Sequence, residues 1–560
     1  MERYPDKQRL PSAVCQALRA AFVPRRMRCL WAASLTAALI VNPYVLNDGQ
    51  SVLMSIMGIL CSATLLCGVI LLCLKYRFTA YVLLPAVILF NAGLYMMQMR
   101  YGLTLNLSVL SSIAETNFRE ACAFCTVSSM MGTLLLAGFI YAAIYWSRRS
   151  LQQTATWSAL ACIWGLYGIL QLLAIPATSC SSEPLYLYST SDKAKGWPLV
   201  DFVMTYKVTD EYITQDASSF NRLRDLPSCA APLSTCEAPD DLTVVFHMGE
   251  SVRADHLSLN GYHRNTMPRL STEPNVISFP HATSFGIVTR VSAIGMFTDA
   301  ELASRRPGHS SFIDLFNKHG FRTVRIMDLH GDSIHDYSLG ILTRNCREQK
   351  QTPPRSQTPG MMQERTSLVM EESLRRHGRG RQLYVIYNNG SHMAFSYPKQ
   401  AASFTPASCN MDDPKAHLEE TVNAYDNSIV DLDASVHRMI GQLKDRPAVY
   451  VYCSDHGVVL GEEGKMFQGH LLPPVYRPAM FIWYSDAFAS RYPEMVRALK
   501  ANRLKAVSHD HLFHTLLSLA SIRSEVIRNG LNLANPAVRE TPAPMQPETL
   551  AEWLPAAAQP

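Results

Sequence analysis

A run of apolar residues ends in a polar turn in the stretch Ala448-Val-Tyr-Val-Tyr-Cys-Ser-Asp-His-Gly457. The apolar part is typical of a buried strand. Ligand sites in open α/β sheets gather at the carboxyl ends of the strands. Asp455 and His456 stand at such an end, and a carboxylate beside an imidazole is a donor pair that zinc accepts. The stretch therefore predicts half of a metal site at the edge of a sheet.

Short apolar runs alternate with helical periodicity on both sides of this stretch. We predict strands at residues 242–247, 322–327, 383–387, 448–453 and 479–484. We predict helices at residues 311–319, 366–377, 418–443 and 509–522. This alternation favours a mostly parallel sheet with helices on both faces. The predicted domain covers residues 241–532, and the Pro- and Ala-rich residues 533–560 are expected to be disordered.

The first third of the chain contains long apolar stretches, at residues 29–46, 52–74, 79–97, 121–146 and 157–175. Each is close to the roughly 20 residues with which a helix crosses a bilayer. Arg and Lys residues precede the first stretch and lie in two of the connections, which places those segments in the cytoplasm. We therefore predict a cytoplasmic segment at 1–28 and a five-span transmembrane domain at 29–176, with everything after it exported. The alternative is a buried helical bundle of a soluble domain.

The segments between the predicted spans and the predicted α/β domain carry weaker signals. Residues 177–240 are expected to form a periplasmic linker with one interfacial helix. The loop at 98–120 is amphipathic, which fits either an interfacial segment touching lipid headgroups or a plain connection.

The formal net charge of +5 is largely explained by the cytoplasmic loops. We find no dense Lys/Arg stripe with interleaved aromatic residues, which argues against nucleic acid as a partner.

The cysteines of the exported part raise the question of disulfides, which an exported compartment permits. Cys229 and Cys236 are close enough in sequence to close a small loop, and they form our first candidate pair. Cys346 with Cys409 is the second candidate pair, although pairing cannot be read from a sequence. We predict that Cys453, beside Asp455, is a buried thiol rather than a zinc ligand.

Two other predicted strands also end in residues that bind metals. Glu250 follows the strand at 242–247, and His392 follows the strand at 383–387. If these strands are parallel neighbours, both residues converge with Asp455 and His456 on one edge. A zinc ion there can activate an oxygen nucleophile and stabilise charge on a phosphoryl oxygen. The residue chemistry leaves the nucleophile open among four hydroxyl groups, those of Thr283, Ser284, Thr289 and Ser292.

Several motifs resemble those of the bacterial phosphoethanolamine transferases, which include the lipid A transferases linked to polymyxin resistance. In chain order, these motifs are Gly249-Glu-Ser-Val-Arg-Ala-Asp-His-Leu-Ser-Leu-Asn-Gly-Tyr262, Gly390-Ser-His392, Asn423-Ala-Tyr-Asp-Asn-Ser428, Ser454-Asp-His-Gly457 and Ser508-His-Asp-His-Leu-Phe-His-Thr515. The resemblance implies an α-helical transmembrane bundle of five spans followed by an α/β sandwich domain of the alkaline phosphatase/sulfatase type. It also implies a multi-pass protein of the bacterial inner membrane with a periplasmic catalytic domain.

The resemblance also implies which residues carry the chemistry. The family nucleophile is a Thr three residues after a Gly and seven before a Met-Phe pair, and Thr289 matches it between Gly286 and Met296. Thr289 would attack the phosphorus of phosphatidylethanolamine and form a phosphoethanolamine-threonine intermediate. The ligands of the catalytic zinc would be Glu250, Thr289, Asp455 and His456.

Further residues are implied as substrate contacts. His392 would contact the phosphoethanolamine group or a second zinc ion, and His392 and His470 would assist proton transfer or bind phosphate oxygens. Thr116 and Glu120, in the loop before the fourth span, would contact the lipid substrate. The acceptor would be a hydroxyl or phosphate of an envelope glycolipid, either lipid A or the lipopolysaccharide core.

The sequence departs from the family pattern around these residues. Phe285 and Gly295 occupy the places where the lipid A members carry two Cys around the nucleophile. Val458 replaces a Glu after the Asp-His-Gly motif. Gln468 aligns with a family histidine that binds zinc or phosphate, and His470 is the nearest histidine. These departures leave open the number of zinc ions and the acceptor.

Other functions remain open at this stage. A periplasmic glucan could be the acceptor, and a phosphoglycerol transferase of the lipoteichoic acid synthase type or a sulfatase would share the fold. The Cys/Ser-x-Pro-x-Arg signature of sulfatases is absent around Thr289. A non-catalytic envelope sensor could also keep the fold, but the intact zinc-binding residues argue against it.

Overall fold

The computed structural model describes residues 75–101, 126–154, 223–302, 306–327, 335–353, 362–393, 395–468, 470 and 472–541, with a few isolated residues between 64 and 166. Thr116, Glu120, Cys180, the first predicted span and nearly all of the second and fifth lie outside the described residues. The chain divides into two compact units. One comprises residues 1–100, 104–107 and 125–211, and the other comprises residues 101–103, 108–124 and 212–560.

The described part of the first unit is helical. Helix α1 is Leu84–Tyr101, directly after a π-helical turn at Thr79–Leu83, and helix α2 is Val127–Thr154. They overlap the third and fourth predicted spans. Leu84, Ala92 and Ala137 belong to a shared buried cluster. Among the residues described, no helix combines the length and the apolar character needed to cross a bilayer.

The second unit alternates strands and helices along the chain. Its strands are β1 (Ser234–Cys236), β2 (Thr243–Gly249), β3 (Val276–Ser278), β4 (Ala282–Thr283), β5 (Arg322–Met327), β6 (Glu348–Gln351), β7 (Gln382–Tyr387), β8 (Ala448–Ser454), β9 (Val459–Leu460), β10 (Met466–Phe467), β11 (Met480–Tyr484), β12 (Val507–Ser508) and β13 (Ile522–Ser524). Its helices are α3 (Thr289–Phe297), α4 (Ile313–Lys318), α5 (His335–Thr343), α6 (Met362–His377), α7 (Leu418–Gly441), α8 (Asp486–Arg491), α9 (Pro493–Asn502) and α10 (His511–Leu519).

A seven-stranded sheet with the order β3-β11-β8-β2-β7-β5-β6 forms the centre of this unit. Strands β8, β2, β7 and β5 are parallel, as predicted, and the edge strand β6, which we did not predict, is parallel to β5. Strand β11 runs antiparallel to both β8 and β3. A parallel neighbour of β8 would require a long crossover, usually a helix. The described residues between β8 and β11 form short strands and 3-10 turns, and the chain returns in the opposite direction.

Side chains of successive sheet residues pack on opposite faces, because their direction alternates along a strand. Val244, Phe246 and Met248 of β2 lie in one buried cluster, together with residues of α3, α4 and α10. Val245 lies in the other buried cluster, to which α7 contributes Tyr425, Ile429 and other residues. The sheet is therefore covered by helices on both faces. All residues of β2, β7 and β8 are buried, which explains their continuous apolar runs.

The packed domain continues past Asn532, where we expected it to end. Leu533, Ala534 and Val538 are buried in the core. The side-chain amide of Asn502 donates hydrogen bonds to the carbonyl oxygens of Leu533 and Asn535, both at 2.9 Å. The Pro- and Ala-rich composition of residues 533–560 led us to expect disorder, although three apolar residues at its start pack into the core.

The two predicted disulfides are wrong, because Cys229, Cys236, Cys346 and Cys409 are all free thiols. The thiol of Cys229 lies 3.2 Å from the carbonyl oxygen of Ser311, and that of Cys236 lies 3.6 Å from the carbonyl oxygen of Ala520. Because β1 pairs with β13, Cys236 lies beside the end of α10 and does not meet Cys229. Cys453 is a buried thiol, as predicted.

Candidate metal centre

Two parallel neighbouring strands bring three metal-binding side chains together. Gly249 of β2 pairs with Ser454 of β8, so the residues that follow each strand emerge side by side. One ligand atom each of Glu250, Asp455 and His456 lies within 4.8 Å of the other two, and all three residues are buried. In the described part of the chain, this is the one such group of His, Cys, Asp and Glu side chains. His392, the fourth predicted member, does not belong to it.

The Glu250 carboxylate is surrounded by hydrogen-bond donors. Thr289 Oγ1 and Tyr387 Oη each donate to Glu250 Oε2 at 3.0 Å. Ser251 Oγ donates to Glu250 Oε1 at 2.9 Å. Ser251 has a φ of 61°, a left-handed conformation that is uncommon for residues other than glycine. Such local strain is typical of functional sites.

Asp455 and His456 each leave one ligand atom for a metal. Asp455 Oδ1 accepts hydrogen bonds from the backbone N–H groups of Ser251 at 2.9 Å and His456 at 2.7 Å. Asp455 Oδ2 is buried and accepts no hydrogen bond from any described residue. His456 Nδ1 lies 2.7 Å from the carbonyl oxygen of Gly457. A carbonyl can only accept, so Nδ1 carries the proton and Nε2 presents its lone pair, 3.2 Å from Asp455 Oδ2.

The electrostatics of the two carboxyl groups also favour a cation. Burial raises the pKa of Asp455 well above its usual range, and the nearby Glu250 carboxylate raises it further. Burial also acts to raise the pKa of Glu250, but the positive charges of His456 and His392 in their protonated forms, together with hydrogen bonds to the carboxylate, outweigh it and lower this pKa to about 2. Like charges at this separation oppose simultaneous ionisation. A divalent metal ion would allow both groups to be ionised, and these residues fit one.

Thr289 is the candidate nucleophile that the structure brings to this centre. It is buried in the first turn of α3, where backbone N–H groups lack intrahelical partners and the helix dipole favours an anion. The hydroxyl groups of Ser284 and Ser292 instead donate to the carbonyl oxygen of Gly286, at 2.7 and 3.2 Å. Thr283 is a residue of β4.

The two predicted histidines outside the cluster differ in their surroundings. His392 is half-buried after β7, and it lies near enough to Glu250 to lower that residue's pKa. His470 is buried, and its Nε2 lies 3.0 Å from the carbonyl oxygen of Met466. Gln468, which we treated as a departure from the pattern, reaches the centre instead. Its Nε2 donates to Ser251 Oγ at 3.1 Å and to Glu250 Oε1 at 3.4 Å.

The structure also explains how Val458 can replace a carboxylate. The guanidinium of Arg253 donates to the backbone carbonyl of Val458 at 3.2 Å and to Glu462 Oε1 at 2.6 Å. It also forms two hydrogen bonds to Asp255, at 2.7 and 2.9 Å. These acceptors pair the buried guanidinium without a carboxylate at position 458, and the Val458 side chain packs in the apolar core.

Tyr387 is a site residue that our sequence reasoning missed, although it is the last residue of the predicted strand beside β2. We expect Tyr387→Phe to weaken binding of Zn²⁺, used as a probe metal, by roughly 10-fold, because partners of ligating side chains typically contribute 10- to 100-fold. Titration of the metal-free protein with Zn²⁺ measures this. Tyr384→Phe is the matched control, since the Tyr384 hydroxyl bonds to Gln382 and Ser373 away from the centre. Equal Zn²⁺ affinities for the two variants would contradict the assignment.

Comparison with known proteins gives the class of this chain. Residues 243–522 match the sulfatase family, and residues 63–185 match the family described as phosphoethanolamine transferase EptA/EptB. The α/β domain, with its metal-binding side chains at the ends of parallel strands, is therefore of the sulfatase type. The chain belongs to the sulfatase family over residues 243–522, and residues 63–185 are similar to the phosphoethanolamine transferases EptA/EptB.

Individual relatives support this placement. Phosphoethanolamine transferase EptA of Escherichia coli K12 is 30% identical over 315 residues, which cover 52% of this chain and 56% of the relative. The Kdo(2)-lipid A phosphoethanolamine 7''-transferase of Salmonella typhimurium is 28% identical over 316 residues, covering 53% and 54%. The chain thus spans little more than half the length of these curated relatives. The integral membrane protein lipooligosaccharide phosphoethanolamine transferase A (EptA) from Neisseria meningitidis shares the fold, with a TM-score of 0.66 at 19% identity, covering 94% of this chain and 98% of that chain.

Proposed function

We propose that this protein transfers phosphoethanolamine from phosphatidylethanolamine to an envelope glycolipid, either lipid A or the lipopolysaccharide core. The observation that carries the proposal is the buried Thr289 hydroxyl, 3.0 Å from Glu250 in a group of side chains that fits a divalent metal. The relatives are named phosphoethanolamine transferases, and the name of one includes Kdo(2)-lipid A. These names support the donor group and the acceptor class.

The metal of this proposal is zinc, held by Glu250, Asp455 and His456 together with Thr289. Its carboxylate and imidazole donors are ligands that zinc accepts. When bound, such a metal lowers the pKa of an oxygen nucleophile and stabilises charge on phosphoryl oxygens. The hydrogen bond of Thr289 Oγ1 to Glu250 Oε2 holds the hydroxyl in a fixed direction, and the first turn of α3 supplies a positive dipole end for the phosphate.

The proposed reaction has two half-reactions. The Thr289 oxygen forms a bond to the phosphorus of phosphatidylethanolamine as the bond to the glycerol oxygen breaks, and diacylglycerol leaves. A hydroxyl or phosphate oxygen of the acceptor then attacks the same phosphorus, and the Thr289 oxygen is released. We prefer His392 to His470 as the residue that transfers protons in both half-reactions. His470 Nε2 already lies within hydrogen-bond distance of the Met466 carbonyl oxygen.

Both proposed substrates are membrane lipids. We propose five spans in the bacterial inner membrane, with the catalytic domain on the periplasmic side and Thr116 and Glu120 contacting the lipid substrate. The apolar stretches, the cationic connections and the EptA/EptB match at residues 63–185 support this arrangement. A periplasmic glucan is the second candidate for the acceptor, because the departures at Val458 and Gln468 leave the acceptor open.

Mass spectrometry of lipopolysaccharide and periplasmic glucans tests the function. Cells that express the full chain should carry an added phosphoethanolamine group on lipid A or the core, and cells without it should lack the group. The Thr289→Ala chain is the matched control for expression. Addition to glucans alone would move the acceptor to the second candidate. A phosphoglycerol addition, or no addition with a well-expressed chain, would overturn the proposal.

Gln468 and His470 can be separated by paired alanine variants. Gln468 donates to Glu250 and Ser251, so we expect Gln468→Ala to lower kcat/KM by about 10-fold, the scale for one lost hydrogen bond to a charged group. The effect of His470→Ala tests the proton-transfer assignment. Turnover of fluorescent phosphatidylethanolamine by the purified full chain measures both. A larger loss for His470→Ala than for Gln468→Ala would make His470 the more important residue.

A further inference from the structure

A fully buried histidine, His509, joins two parts of the candidate centre. Its Nδ1 lies 3.1 Å from the backbone nitrogen of Phe285, and its Nε2 lies 3.0 Å from the carbonyl oxygen of Ser454. The backbone N–H of Phe285 can only donate and the carbonyl can only accept. Nδ1 is therefore unprotonated and Nε2 carries the proton. Burial lowers the pKa of His509 to about 3, which agrees with this neutral form.

The two residues that His509 contacts lie next to the proposed nucleophile and next to the candidate metal ligands. Phe285 lies in the turn that leads into Thr289, and Ser454 directly precedes Asp455 and His456. The bridge continues a short parallel pairing of β12 with β4, in which the backbone N–H of His509 donates to the carbonyl oxygen of Thr283 at 3.2 Å. The imidazole of His509 therefore connects the turn before Thr289 to the end of β8, which Asp455 and His456 follow.

The Phe285 side chain fixes the same turn from its other side. Its ring packs directly on Gly295 of α3, where an added Cβ would lie 2.3 Å from ring carbons. Phe285 is buried in a small apolar cluster with Ala300 and Leu302. The ring and Gly295 enclose the turn and the first part of α3, which contains Thr289. These are the positions at which the sequence lacks the two Cys of the lipid A members.

We propose that His509 is a positioning residue that sets the separation of Thr289 from the metal-binding side chains. The inference rests on the proposed function, because it concerns the same nucleophile. Without the link, the backbone N–H of Phe285 loses the acceptor that connects this turn to the end of β8. Displacement of a nucleophile by about 1 Å can cost on the order of 10²-fold in rate. The loss should appear in kcat rather than in KM, because the fully buried His509 positions Thr289 and is not proposed to contact the substrate.

The matched pair His509→Asn and His511→Asn tests this role. Both histidines are fully buried at or just before the start of α10, and Nδ1 of each lies near a backbone N–H, that of Phe285 at 3.1 Å or that of Ser508 at 3.2 Å, while His511 Nδ1 also lies 3.2 Å from Asp510 Oδ1. Both place Nε2 against a backbone carbonyl, that of Ser454 or that of Arg539. Asparagine keeps the first contact and loses the second. We expect His509→Asn to lower kcat by about 10- to 100-fold, with KM within about 3-fold. His511→Asn should leave kcat within about 2-fold.

Formation of the modified Thr289 in a single turnover supplies a second readout, together with bound zinc per chain. We expect His509→Asn to slow that step while zinc content stays unchanged. If the variant does not fold, His509→Gln, which can reach the Ser454 carbonyl but not the Phe285 N–H, is measured instead. Wild-type protein that never modifies Thr289 would refute the proposed function. If the wild type modifies Thr289, two results would refute the positioning role alone. One is a His509→Asn variant that reacts as fast as the wild type, and the other is a His511→Asn variant that reacts as slowly as His509→Asn.

Discussion

Replacing Thr289 by alanine is expected to abolish phosphoethanolamine transfer while zinc remains bound with reduced affinity. The Thr289 hydroxyl contacts the metal-binding group, and Glu250, Asp455 and His456 remain intact in the variant. Loss of a catalytic nucleophile can cost on the order of 10⁶ in kcat, so the remaining activity should fall to background. Turnover of fluorescent phosphatidylethanolamine and zinc content per chain measure the two parts of the prediction.

Two controls define this result. Thr289→Ser keeps the hydroxyl group and should retain measurable transfer. Ser292→Ala removes a neighbouring hydroxyl of the same helix that only donates to the Gly286 carbonyl, and it should keep most of the activity. A fully active Thr289→Ala protein would rule out Thr289 as the nucleophile. Loss of all zinc in that variant would instead make Thr289 mainly a ligand.

The meeting of Glu250 with Asp455 and His456 could be predicted from the sequence because it depends on strand direction. Parallel strands end at one edge of a sheet, so polar residues after two buried apolar runs converge when those strands are neighbours. The register of Gly249 with Ser454 confirms that reasoning. Assigning Thr289 required the family resemblance, because Thr283, Ser284 and Ser292 have the same hydroxyl chemistry and only their packing separates them.

The remaining features depend on contacts between residues far apart in the sequence. Tyr387 and Gln468 reach Glu250 from different strand ends and loops, and neither residue type signals a metal site by itself. His509 reads as one histidine among several at a helix start, and its role becomes visible only when Phe285 and Ser454 are seen on its two nitrogens. The direction of β11 likewise depends on the route of the chain between strands.

Asp455→Asn is expected to abolish zinc binding and, in the same protein, to stabilise the metal-free fold. Asparagine keeps an oxygen for the backbone N–H groups of Ser251 and His456, which Asp455 Oδ1 now accepts. Its amide group would replace Oδ2, an oxygen that accepts no hydrogen bond from the described residues and faces the Glu250 carboxylate. An unsatisfied buried polar group costs about 1–3 kcal/mol. Zinc would lose an anionic ligand, and transfer should fall to background.

The pH dependence of stability separates this explanation from a general packing effect. The pKa of Asp455 is raised in the folded protein, so the metal-free wild type should lose stability as the pH rises from about 4, the unfolded value, toward neutrality. Asp455→Asn should lack that part of the slope. Asp433→Asn is a packing control: burial also raises the pKa of Asp433, so this variant too should lose part of the slope, but both Asp433 oxygens accept backbone N–H groups and the variant should destabilise the fold. Thermal unfolding after chelation measures all three proteins. An Asp455→Asn protein that melts below the metal-free wild type at neutral pH, or that retains zinc, would contradict the prediction.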